Sequence, residues 1–97
     1  MPISIVSKLT CKDGKQAEMV LALKAMRTAV QENEPGTIFF LIHKCRKDPV
    51  AYYIVEQYAD EEAGDAHGKS DAFKKSVDSL HEVVDKPPEH FSMDLIV

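Results

Sequence analysis

The chain has 97 residues, of which 44% are hydrophobic and 29% are charged. This size and composition are typical of one globular domain, which we expect to occupy residues 1–97, and they argue against a disordered chain. Acidic residues outnumber basic ones by 16 to 12, and the formal net charge is −4. Nucleic acids and anionic membranes are bound by concentrated positive charge, so neither is an expected partner.

The cysteines and the amino terminus indicate where in the cell the protein is located. Cys11 and Cys45 are too few for a disulfide framework, and we interpret them as free thiols in a reducing compartment. The amino terminus has no basic stretch followed by an apolar core, the pattern that directs secretion. No apolar run reaches the roughly 18 residues that a membrane-spanning helix needs. Together these features predict a cytoplasmic protein.

The spacing of apolar residues predicts four strands and three helices. In chain order they are a strand over 3–11, a helix over 15–32, strands over 37–46 and 50–58, helices over 60–69 and 70–84, and a strand over 90–97. Pro35-Gly36 ends the long helix, and Pro87-Pro88 ends the last one. The order is that of an α+β, ferredoxin-like domain, a split β-α-β unit with an antiparallel sheet.

Short polar motifs predict where these elements begin and turn. Asp13 is expected to cap the long helix, with Gln16 as its reciprocal partner. Asp60 and Ser70 are expected to cap the two shorter helices. The sequence Lys47-Asp48-Pro49 joins two β-branched and aromatic runs and predicts the turn of a hairpin.

The predicted hairpin is apolar on both faces. Alternation in its first strand places one set of side chains together, Ile38, Phe40 and Ile42, and sets them opposite Phe39, Leu41, His43 and Cys45. Helices on one face of such a sheet would leave a large apolar surface exposed on the other. We therefore expect a second copy of the chain to cover that face, sheet against sheet, in a homodimer.

Three residues are candidates for polar chemistry. His67 stands late in a short helix and is a natural proton acceptor near neutral pH, or else a half-exposed residue that covers a helix end. Glu56 lies between apolar strand residues, where it serves in catalysis or as an anchor within the sheet. His43 shares an apolar face and is either a pocket residue or a hydrogen-bonded core residue.

Other signatures are absent from the sequence. It has no glycine-rich phosphate loop, no serine nucleophile elbow and no HExxH or CxxC motif. The four histidines are too far apart for a local metal motif, and we predict neither a metal site nor a cofactor. His81 and His90 are interpreted as surface residues. Aromatic side chains, among them Tyr53, Tyr58 and Phe73, are expected in the core, and some of them around a cavity for a flat ligand.

One segment carries a more specific pattern. Residues 53–63 read YIVEQYADEEA, His67 follows four residues later, and SDAF stands at 70–73, while EPG at 34–36 precedes the hairpin. Over essentially the whole chain this arrangement resembles the antibiotic biosynthesis monooxygenase domain family, whose members include quinol monooxygenases.

The resemblance implies a ferredoxin-like dimer in which two sheets form an α+β barrel, with a pocket between sheet and helices. It also implies oxidation of a small quinol or polycyclic phenol by molecular oxygen without metal or flavin. On this reading His67 is the base, Glu56 and Tyr58 are supporting polar groups, and Phe73, His43 and Tyr53 bind the substrate.

Departures from relatives limit the alternatives. Haem-degrading members use a tryptophan and a histidine ligand, whereas this chain has no tryptophan and has Val77 where the ligand would stand. Some relatives act on phosphorylated sugars, but the scattered basic residues of this chain give little support for that activity. Two other hypotheses stay open: a non-catalytic dimeric binding or stress-response module, and an oxygen-independent isomerase of a small carbonyl metabolite.

Overall fold

The computed structural model describes residues 1–97 as a four-stranded antiparallel sheet with three helices. The elements are β1 (Ile3–Thr10), α1 (Gln16–Asn33), β2 (Thr37–Lys44), β3 (Ala51–Tyr58), α2 (Glu61–Lys69), α3 (Asp71–Leu80) and β4 (Glu89–Asp94). The strands lie in the order β2-β3-β1-β4. This is the predicted α+β, ferredoxin-like architecture.

The sheet is built around β1, which pairs with β3 on one side and with β4 on the other. Ile5 is opposite Glu56 of β3 and Ser92 of β4, so these three side chains form one row across the sheet. Two residues further along β1, Ser7 is opposite Ile54 and His90. Partners in a ladder point to the same face, and both rows therefore share the face that the helices cover.

The hydrophobic core lies between this face and the helices. In α1 the buried positions are Met19, Leu23, Met26 and Val30, which recur at helical spacing as the sequence predicts. They pack with strand residues, including Leu9, Phe40, Tyr52 and Ile54, and with Leu80 at the end of α3. The two cysteines are free thiols, with Cys11 buried in this core and Cys45 partly exposed.

Two of the three predicted caps are present. Asp60 accepts a hydrogen bond from the Ala63 amide at 2.8 Å, and Ser70 accepts one from the Phe73 amide at 3.0 Å. The predicted hairpin turn is also present, since Asp48 Oδ1 accepts from the Val50 amide at 3.1 Å.

The predicted cap at the start of α1 is wrong. Lys15 occupies the N-cap position and makes no side-chain capping bond. Asp13 instead accepts from Gln16 Nε2 at 3.0 Å, and Gln16 Oε1 accepts from the Gly14 amide at 2.8 Å. Gly14 has φ +88°, a left-handed turn that places Asp13 before the helix, so these bonds stabilise the turn.

Two further expectations differ from the structure. Ile38 does not share a face with Phe40, because an irregularity between Thr37 and Phe39 shifts the register and leaves Ile38 53% exposed. The last helix ends at Leu80 rather than near Val84. Val84 instead forms an isolated bridge with Cys11, which ties the segment after α3 to the end of β1.

The other face of the sheet carries no helix and is partly apolar. Leu41, Phe91 and Met93 on this face are 42%, 58% and 45% exposed. Val6 and Val55, which are cross-strand partners in the centre of the sheet, point the same way and are half-buried. We call this surface the open face.

None of the three helices combines the length and hydropathy that crossing a bilayer requires.

Candidate active site

A cavity of about 670 Å³ opens between the helix-covered face of the sheet, the helices α2 and α3, and the segment after α3. Its walls are largely apolar, with contributions from Ile5, Leu9, Phe40, Ile54, Phe73 and Val77. Polar side chains in the lining include Glu56 and His67 on one side and Ser7 and His90 on the other. This combination, an apolar cavity with a few convergent polar groups, is typical of a small-molecule site.

The position of His67 depends on how α2 packs. A Cβ atom added to Gly36 would lie 2.6 Å from Ala63 Cβ, so only glycine permits this close approach of α2 to the turn after α1. The Gly36 carbonyl also accepts a hydrogen bond from the Ala59 amide at 3.1 Å, just before α2. These contacts bring the carboxyl-terminal half of α2, and with it His67, against the end of α1.

Glu34 is the partner that this packing supplies. It follows the last residue of α1, its side chain is only 8% exposed, and its Oε1 lies 2.5 Å from His67 Nδ1. A carboxylate oxygen accepts hydrogen bonds, so we assign the proton to Nδ1, which donates to Glu34. The Nε2 atom of neutral His67 then carries the free lone pair. A buried carboxylate thus sets the tautomer and orientation of the imidazole.

Glu56 lies on the cavity side of the same imidazole. Its Oε1 is 3.7 Å from His67 Nε2, beyond hydrogen-bond range, and it accepts a hydrogen bond from Tyr58 Oη at 2.9 Å. Burial raises the pKa of Glu56; the bond from Tyr58 and the nearby His67 act in the opposite direction, and Glu34 adds to the rise. Glu56 is therefore a carboxyl group with an increased tendency to hold a proton.

Tyr58 contacts Glu56 on the side away from the cavity. Its side chain is fully buried, and it is absent from the cavity wall. Burial raises the pKa of Tyr58 far above its ordinary value, and the neighbouring Glu56 adds to this effect. The phenol therefore remains a hydrogen-bond donor at every physiological pH and fixes one oxygen of Glu56.

Aromatic rings enclose His67. The Phe73 ring centroid lies 4.3 Å from that of His67, Tyr58 lies at 5.2 Å and Phe40 at 5.9 Å, all in tilted arrangements. These contacts restrict rotation of the imidazole. The Glu34–His67 pair therefore holds the imidazole in one orientation, with one ring nitrogen bound to the protein and the other close to the cavity.

The structure divides the six residues predicted for the site into three groups. His67, Glu56 and Phe73 line the cavity together, and Tyr58 lies behind Glu56. The remaining two, His43 and Tyr53, are opposite each other in the β2–β3 ladder and point to the open face, outside this cavity. Strand alternation explains the division, because Tyr53 and Glu56 differ by an odd number of residues.

Three polar residues of the region were not identified from the sequence as site residues. Glu34 follows Val30 by four residues and so continues the buried stripe of α1, a signal that its carboxylate is buried. Ser7 alternates with Ile5 and Leu9 on a buried face, which is an unusual place for a hydroxyl. His90 is exposed, as predicted, but it lines the open side of the cavity.

Comparison with solved structures places this fold among known ones. A candidate antibiotic biosynthesis monooxygenase from Caulobacter crescentus superposes with a TM-score of 0.94 at 24% identity, covering 99% of this chain and 91% of that one. A conserved protein from Methanosarcina mazei gives a TM-score of 0.87 at 27% identity, with 96% and 91% coverage. A candidate antibiotic biosynthesis monooxygenase from Nitrosomonas europaea gives 0.87 at 19% identity, with both chains fully covered at 100%.

Comparison of the sequence with known proteins and families gives two results. No curated protein shows a significant match to the chain. The model of one family, described as antibiotic biosynthesis monooxygenase, matches residues 2–79, which include every strand and helix except β4 and the last residue of α3. The chain belongs to the antibiotic biosynthesis monooxygenase family.

Proposed function

We propose that this protein is a cofactor-independent monooxygenase that oxidises a small quinol or polycyclic phenol with molecular oxygen. One observation carries the proposal: a histidine oriented by a buried carboxylate stands in the wall of a largely apolar cavity of about 670 Å³. Family membership and the structural neighbours named as candidate monooxygenases support the same reaction class.

The chemistry requires little from the protein beyond a base and a dry pocket. Molecular oxygen reacts slowly with neutral closed-shell molecules, whereas an electron-rich phenolate can pass it one electron. The resulting radical pair combines at a ring carbon, one oxygen atom stays on that carbon, and the other leaves as water with two hydrogens from the substrate. The substrate supplies all four electrons, so the overall reaction balances with no external reductant.

In this reaction His67 Nε2 removes the phenolic proton while Nδ1–H donates to Glu34. The carboxylate of Glu34 stabilises the imidazolium that forms, because the opposite charges are in contact within a buried site. Glu56, whose pKa is raised by burial, supplies or takes the proton needed when the second oxygen leaves as water. The apolar walls, including Phe73, hold the flat ring and exclude water.

A second candidate function follows from the same pair of groups. A base and a carboxyl group of raised pKa beside one cavity also suit proton transfer between the carbons of a carbonyl compound. Such an isomerase would turn over without oxygen. Product analysis under nitrogen separates the two activities, because only the isomerase forms product there. Ligand binding without turnover in either atmosphere would identify a binding module.

The molecule is proposed to act as a homodimer. Exposed Leu41, Phe91 and Met93 on the open face, with half-buried Val6 and Val55 between them, are the kind of contiguous apolar surface that marks an interface. Two copies related by a two-fold axis can each cover the open face of the other, which gives a closed dimer.

The test of function is oxygen uptake with a panel of quinols and anthrone-like phenols. A reaction without enzyme corrects for spontaneous oxidation of these compounds. We expect enzyme-dependent uptake that falls at least about a hundredfold in His67→Gln, since a general base contributes that much or more. Lys69→Gln, an exposed position on the same helix, is the matched control and should retain activity. Full activity in a folded His67→Gln protein would show that His67 is not the base.

A further inference from the structure

We infer that Ser7 and His90 form a second polar anchor in the cavity, which binds an oxygen function at the opposite end of the substrate from the one that His67 deprotonates. The inference rests on the proposed function for the identity of the first end. It adds a binding site for the second end, and it makes the length of the ligand a determinant of specificity.

The anchor consists of two side chains on neighbouring strands. Ser7 is buried in the middle of β1, and its Oγ lies 2.8 Å from Nδ1 of His90 on β4. Both residues line the cavity. This hydrogen bond occupies Nδ1 and leaves His90 Nε2 without a protein partner, so Nε2 is available to a ligand oxygen in either tautomer.

The burial of Ser7 makes the anchor rigid at its base. The Ser7 hydroxyl sits between Ile5 and Leu9, which are apolar cavity residues of the same strand face. His90 satisfies the hydroxyl and is in turn oriented by it, although β4 is an exposed edge strand. The imidazole therefore has a defined position at the open side of the cavity, which reduces the entropy lost when it binds a ligand.

The register of the sheet sets the distance between the two polar ends. Glu56 and His90 are separated by two strand spacings across β1 and by two residues along it, since Ile5 is opposite Glu56 and Ser7 is opposite His90. Standard sheet dimensions place their Cα atoms about 12 Å apart. Glu56 marks the first end, because its Oε1 lies 3.7 Å from His67 Nε2. We therefore expect two or more fused rings with oxygens at opposite ends to fit this spacing better than a single six-membered ring.

Equilibrium binding in the absence of oxygen tests this without any turnover. The probes are two matched pairs: 2-naphthol with 2,6-naphthalenediol, and phenol with hydroquinone. Each pair differs only in the second hydroxyl. We expect the wild-type protein to bind the naphthalenediol about fivefold more tightly than naphthol, the gain of roughly one hydrogen bond. Hydroquinone should gain little over phenol, because one ring does not span the cavity.

Variants assign the preference to the anchor. Ser7→Ala and His90→Phe should each reduce the naphthalenediol preference, the ratio of the two affinities, to about one. Ser4→Ala, a serine of the same strand on the open face, is the matched control and should keep the preference. Circular dichroism identifies any variant that fails to fold, and His90→Phe, at an exposed position, is the safer of the two.

The inference is overturned by equal affinity of the wild-type protein for both naphthalene ligands, by failure of the naphthalenediol to bind, or by a preference that persists in both variants. None of these results depends on oxygen consumption. Loss of the proposed monooxygenase activity with an intact naphthalenediol preference would therefore reject the reaction and keep the anchor.

Discussion

His67 and Glu34 are 33 residues apart in the sequence and in direct contact in the fold, with Nδ1 2.5 Å from Oε1. The contact joins the end of α1 to the carboxyl-terminal half of α2. It places a carboxylate against the protein-facing nitrogen of the imidazole and leaves the other nitrogen near the cavity. The same oxygen-to-nitrogen geometry holds the base in catalytic triads, where the carboxylate selects the tautomer.

Glu34→Gln should therefore reduce kcat by about a hundredfold, because the neutral amide neither fixes the tautomer nor stabilises the imidazolium. Affinity for 2-naphthol under nitrogen should be unchanged, since Glu34 does not line the cavity. Nitrogen NMR of labelled histidine should show Nδ1–H as the main neutral tautomer in the wild type and a mixture in the variant.

Glu32→Gln, an exposed carboxylate near the end of the same helix, controls for the loss of one charge and should keep wild-type kcat. An Nδ1–H tautomer that persists in Glu34→Gln with wild-type kcat would contradict the positioning role of Glu34.

The raised pKa of Glu56 predicts a defined pH dependence of stability. The folded protein holds a proton on Glu56 more strongly than the unfolded chain, whose carboxyl has a pKa near 4.5. The free energy of unfolding of the wild type, relative to Glu56→Gln, should therefore be highest below pH 4.5 and decrease as the pH rises through the raised pKa. Urea denaturation of both proteins at several pH values measures the difference. A difference that increases with pH would mean that the folded state lowers this pKa.

Replacement of Gly36 and replacement of Gly68 by alanine should have opposite effects on stability. Gly36→Ala places a methyl group 2.6 Å from Ala63 Cβ and should reduce the free energy of unfolding by about 2 kcal/mol, a typical overpacking cost. It should also reduce kcat, because α2 carries His67. Gly68→Ala adds a methyl group where no atom lies within 4 Å, and it should increase stability by about 0.7 kcal/mol through helix propensity. Thermal and urea denaturation test both; a Gly36→Ala protein as stable as wild type would show that the helix adjusts freely.

The open face predicts self-association. Sedimentation velocity should show a dimer at micromolar concentration, and Val55→Lys at the centre of the sheet should shift it to monomer, since a lysine there cannot be buried without a partner. Leu21→Lys, which changes an exposed leucine of α1 on the other side of the molecule, should remain dimeric. A wild-type protein that sediments as a monomer would contradict the proposed homodimer.

Secondary structure was predicted correctly where the apolar residues follow a single period, either that of a helix or that of a strand. The stripe of α1 and the alternation of β3 each arise from short-range geometry, so the elements and their order follow from the residues alone. The caps at Asp60 and Ser70 succeeded for the same reason. Asp13 failed as a cap because Gly14 adopts a left-handed turn, and Ile38 was misplaced because an irregularity broke the alternation.

The sequence by itself determined the fold class, from the order of its elements, and the burial of Glu56, from the alternation of its strand. His67 stands out in the sequence by the chemistry of its side chain and by the pattern of residues 53–73. Only the tertiary structure decided that Glu34 holds His67, that Ser7 contacts His90 across 83 residues, and that His43 and Tyr53 lie on the open face. These relationships depend on strand register and on helix packing against the sheet. Both are set by contacts between residues far apart in the chain, and no local pattern contains them.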